Sequence, residues 1–71
     1  MENITTEAIC NRIDIVMTAL TEAVNNGDED QEKINNHYLP RLGRIYQRVQ
    51  LDGEVNELDL KFINVLMFMY T

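Results

Sequence analysis

Apolar positions recur along this chain at helical spacing. Ile9, Ile13, Val16, Leu20 and Val24 follow one another at steps of four, three, four and four, which places them on one face of a 3.6-residue helix. Thr5 stands where an N-cap is needed, and Glu7 falls in the first turn, where the exposed N–H groups favour a carboxylate. Asn25-Asn26-Gly27 ends the pattern, with Gly27 suited to the left-handed position beyond a last turn. The spacing predicts helix one over residues 5–26.

A second stripe runs through Ile34, Tyr38, Leu42, Ile45 and Val49. Asp28 is its natural N-cap, with Gln31 at capping-box spacing. Pro40 interrupts the segment. It lacks one backbone donor and disfavours helical geometry at Leu39. The stripe keeps its register across Pro40, so one kinked helix is expected, with a break at 37–40 as the alternative. Gly43 weakens the helix locally. Asp52-Gly53 then signals a turn. Asn56 is an N-cap candidate, Glu57 and Asp59 suit a first turn, and Val55 and Leu60 hold the positions of a hydrophobic staple. Helix three is predicted over residues 56–70. The expected architecture is all-α: one domain over residues 1–71, a small three-helix bundle with helix two kinked at Pro40.

The last helix differs from the others. From Phe62 to Tyr70 only Asn64 is polar. At 100° per residue, Leu58, Phe62, Val65, Leu66 and Met69 cluster on one face. Leu60, Ile63, Met67 and Tyr70 cluster nearly opposite, and Phe68 lies between. A helix packed on two neighbours needs one broad stripe; two opposed stripes imply burial from two sides. The first face is expected to pack on helices one and two. The second, with Phe68, is expected to bind a partner: another protein, or a second copy in a homodimer. A third arrangement, with helix three clasped centrally between the others, accounts for the same pattern.

Size strengthens the case for a partner. A chain of 71 residues buries only about 60 % of its unfolded surface, and small domains often gain stability from disulfides, metals or association. Cys10 is the one cysteine and His37 the one histidine, so neither an internal disulfide nor a zinc set can form. Composition is that of a globular protein, 45 % hydrophobic and 25 % charged. The start, "MENITTEAIC", lacks the basic and apolar runs of a signal peptide. The apolar run at the end is shorter than the roughly 20 residues of a membrane span. A cytoplasmic chain with reduced Cys10 and no membrane contact is expected.

The net charge of −6 opposes direct nucleic-acid binding at long range. The acids fall in two groups, Asp28, Glu29, Asp30 and Glu32, then Asp52, Glu54, Glu57 and Asp59. Both groups occupy predicted helix starts, where they cap and solubilise. Antiparallel helices would set them at opposite ends of the bundle, a spacing that also imitates a phosphate track. Arg41, Arg44 and Arg48 form the one basic strip, at i, i+3 and i+7. Such a strip pairs with neighbouring acids or receives an acidic partner or phosphate.

"DGEVNELDLKF" resembles the second half of an EF-hand loop, with Asp52 and Gly53 at positions five and six and Asp59 as the final acid. The same stretch resembles turns in small helical bundles of the tellurite-resistance B type. The EF-hand likeness implies calcium, but its first and third positions here are Arg48 and Gln50, and a cation at position one repels calcium. No metal or cofactor is expected. His37 and Cys10 have no partner at helical spacing to form a nucleophile–base pair, and the glycines do not form a phosphate loop, so no enzymatic site is expected. Two functions remain. One is a small interaction protein that occludes or regulates a partner through an apolar face of the last helix. The other is an acidic nucleic-acid mimic, of the kind a phage uses against restriction or CRISPR complexes.

Overall fold

The computed structural model describes residues 5–71. Four α-helical segments, with one π turn, make three long helical runs, and no strand occurs among the described residues. Helix α1 spans Thr6–Asn25. Thr5 caps it, its hydroxyl accepting from the Ala8 N–H at 3.1 Å, which satisfies one donor that the first turn leaves free. At the other end Gly27 takes φ +79°. The Asp28 and Gly27 N–H groups then donate back to the carbonyls of Ala23 and Val24 at 3.0 and 3.1 Å, the paired closure of a Schellman motif.

The second run comprises α2 (Gln31–Lys33), a π-helical stretch (Ile34–Tyr38) and α3 (Leu39–Asp52). It stays helical across Pro40, and the break at 37–40 does not occur. The π stretch explains how. A proline ring crowds the carbonyl four residues back, here that of Asn36. That carbonyl lies within the wider π turn, where the Leu39 N–H reaches the Ile34 carbonyl. The run also begins later than its sequence implies. The Asp28 carboxylate accepts from the Asp30 N–H at 2.8 Å, so Asp28 shapes the turn and Asp30 occupies the N-cap position.

Gly53, at φ +71°, ends α3 with its N–H on the Val49 carbonyl. Helix α4 spans Glu57–Tyr70, capped by Asn56, whose side chain accepts from the Asp59 N–H at 2.8 Å. The Thr6 hydroxyl donates to the Gly53 carbonyl at 3.4 Å, fastening the start of α1 to this turn. Helices α1 and α4 therefore run parallel, and α3 runs against both.

Among the described residues ten form the core: Ile9, Ile13, Val16 and Leu20 from α1, Ile34 from the π turn, Leu42, Ile45 and Val49 from α3, and Ile63 and Leu66 from α4. No polar or charged residue is buried among the described residues. Helix α1 packs on both α3 and α4. Tyr38, at the end of the π stretch, meets Phe62 of α4 edge to face, with ring centroids 5.9 Å apart. Among the described residues, no helix is long and apolar enough to cross a membrane.

Candidate functional site: the outer face of the last helix

The structure divides both expected faces of α4. Ile63 is fully buried, and Met67 and Tyr70 pack half-buried against the core. Leu60 is also half-buried. Of the expected partner face only Phe68 is exposed, at 89 %. From the stripe expected to pack inward, Leu66 is buried and Phe62 half-buried, but Leu58, Val65 and Met69 face outward at 73, 51 and 56 %. The core axis of α4 falls between the two stripes, through Ile63 and Leu66, so each stripe is split.

Leu58, Val65, Phe68 and Met69 thus form an unpartnered apolar row. One sequence signal marks it. Lys61 lies three residues after Leu58 and four before Val65, on the same face, and lysine is seldom buried. The Leu60–Ile63–Met67–Tyr70 stripe contains no charge. The Arg12 guanidinium donates to the side-chain amide oxygen of Asn64 at 2.9 Å and ties the two parallel helices together. Ile15, one turn beyond Arg12, and Phe68, one turn beyond Asn64, are both exposed.

The other flank of α4 carries the arginine strip. Arg41 approaches Asp59 at 3.4 Å and Arg48 reaches its other oxygen at 3.7 Å. The Arg41 guanidinium also lies 4.0 Å from the centroid of the Phe62 ring, a cation–π contact. Arg44 has no carboxylate partner among the described residues. The three arginines, with Ile45, Asn56 and Asp59, line an open hollow between α3 and the start of α4. Asp59 is therefore engaged by cations and is only 13 % exposed.

The acidic groups occupy opposite ends of the bundle. Glu29, Asp30 and Glu32 are exposed and Asp28 half-buried at the α1–α2 turn, while Asp52, Glu54 and Glu57 are exposed near the α3–α4 turn. Asp59 does not join the solvent-facing acids. The first group lies near the end of α4, where Tyr70 is affected. Partial burial, then the negative charges of Asp28 and Asp30, then Tyr38, raise its phenol above the usual 10.0. A second hollow, lined by Glu29, Asp30, Glu32, Lys33, Asn36 and His37, is polar. Cys10 is half-buried and free. No group of three His, Cys, Asp or Glu residues is placed to hold a metal among the described residues. Comparison with protein families, with characterised proteins and with solved structures finds no match.

Proposed function

We propose that this chain is a small, non-enzymatic binding protein that occludes or regulates a partner protein through the outer face of α4. The observation that carries the reading is the exposure of four large apolar side chains on one 14-residue helix, with Phe68 the most exposed. Large apolar side chains gathered on one exposed helix face mark interaction sites, whereas singly scattered ones do not. The same reading holds the chain to a cytoplasmic setting, and gives its second helix a bend at Pro40 that the π turn accommodates.

Magnitudes limit how the face works. Burying a side chain of this size fully is worth about 1.5–3 kcal/mol, so the row offers several kcal/mol. Association costs about 4–15 kcal/mol. A helix of 14 residues is roughly 21 Å long and 10 Å wide, well short of the roughly 800 Å² per partner of a stable interface. A partner seated on α4 therefore also engages a flank.

Titration with a hydrophobic fluorescent dye tests the reading. The native chain is expected to enhance the dye, and the Val65→Ser/Phe68→Ser variant to lose most of that signal with its helical circular dichroism intact. Equal dye response from both proteins would remove the reading.

A further inference from the structure

The cations of this acidic chain are not spread over its surface. Five of the six border or lie on α4. Arg12 is bonded to Asn64, Arg41 and Arg48 hold Asp59, Arg44 lines the same hollow, and Lys61 lies within the apolar row. Helix α4 itself contributes two acids, Glu57 and Asp59, both in its first turn. Acids also border this helix, Asp52 and Glu54 in the turn before it and Asp28 and Asp30 near Tyr70, so the local excess of cations lies at the arginine hollow, where Arg41, Arg44 and Arg48 face the single carboxylate of Asp59.

We infer that the occupant of the α4 face is an acidic amphipathic segment of another protein: an apolar row that packs on Leu58, Val65 and Met69, flanked by carboxylates that reach the arginine hollow. The inference rests on α4 being the docking face and adds the chemistry of what docks there. Two features of the hollow support a carboxylate ligand. The pairs to Asp59 are long, at 3.4 and 3.7 Å, with Arg41 and Arg48 side chains 42 and 60 % exposed, so their forked donors remain available to a second carboxylate. Arg44 brings a third fork that no described acid occupies.

The charge pattern also disfavours other occupants. A second copy would bring its own Lys61 and arginine hollow against the same groups, and like charges apposed across an interface oppose association. A nucleic acid would find a single exposed aromatic ring in the row, Phe68, and the net charge of −6 repels a long polyanion. A short acidic segment has few enough charges to be oriented by the local field. The acidic bulk then turns away a wrongly docked partner.

Two synthetic 18-residue helical peptides with the same leucine row test this directly, one flanked by glutamates and the other by lysines. Binding to the full chain is followed by fluorescence anisotropy at low salt. The glutamate peptide is expected to bind at least tenfold tighter, with the preference shrinking as salt rises. The Arg44→Glu/Lys61→Glu variant, which changes only exposed side chains, is expected to erase the preference with unchanged circular dichroism. Equal affinities, a preference for the lysine peptide, or binding of neither would overturn the inference. So would tighter binding of a 20-nucleotide oligothymidylate, or a dimer in sedimentation that excludes the peptide. Equal affinities that are both lost in Val65→Ser/Phe68→Ser would leave α4 as the docking face and remove only the acidic character of the ligand.

Discussion

Helices α3 and α4 have the same length, 14 residues, and flank the same core, but they use their outer faces differently. Helix α3 buries Leu42, Ile45 and Val49 and presents mainly glycine, glutamine and arginine outward; Leu51, in its last turn, is its one large exposed apolar side chain. Helix α4 buries Ile63 and Leu66 and exposes four apolar residues. The fold requires only the inner face of each. The outward apolar row of α4 is thus surplus to folding, whereas the outer face of α3 is what an amphipathic bundle helix needs for solubility.

Substitutions break or sharpen this contrast, starting with the largest effect. Ile63→Ala empties a fully buried position on α4 and is expected to cost about 2–5 kcal/mol in urea unfolding. On the same helix Phe68→Ser should change stability by less than about 0.5 kcal/mol. Similar costs at the two positions would mean that α4 has no free face. Gly53→Ala, at the junction of α3 and α4, imposes a side chain on φ +71° where its Cβ meets only Thr6 Oγ1 at 3.8 Å. The expected cost is about 1–2 kcal/mol, read as a lowered urea midpoint with an unchanged slope. Asp59→Asn weakens the charged link between the two helices. Long pairs to largely exposed arginines contribute about 0–1 kcal/mol, so a small loss that shrinks at high salt is expected.

The smallest effect concerns pH. Tyr70 holds its proton more tightly in the fold than the ordinary phenol at 10.0. Its contribution is complete below about pH 10 and is lost as pH rises through the raised folded value. Stability measured between pH 9 and 11 should fall less steeply in Tyr70→Phe than in the parent chain. An identical slope would show that neither partial burial nor the charges of Asp28 and Asp30 hold the Tyr70 proton.

Local chemistry made most of the fold legible. Thr5 and Asn56 cap their helices as their side chains dictate, and Gly27 closes α1. Helices expected at 5–26 and 56–70 form at Thr6–Asn25 and Glu57–Tyr70. The π turn was hidden, because it arises from how the backbone accommodates Pro40 rather than from any side-chain period. Asp28 was misplaced as a cap because the same carboxylate serves equally well in an Asx turn. The orientation of α4 was hidden for a deeper reason. Two apolar stripes are equivalent on a helical wheel, and only the neighbouring helices choose between them. Lys61, between Leu58 and Val65, was the local clue. The acidic and arginine groups were readable as groups, but the seating of Asp59 beneath Arg41 and Arg48 depends on the α3–α4 contact.

The free outer face is most directly tested by NMR on methyl-labelled protein with a soluble nitroxide in the buffer. The account predicts strong broadening of the Leu58, Val65 and Met69 methyls and protection of Ile63 and Leu66. Protection of both sets, or broadening of Ile63 with protection of Val65, would contradict it.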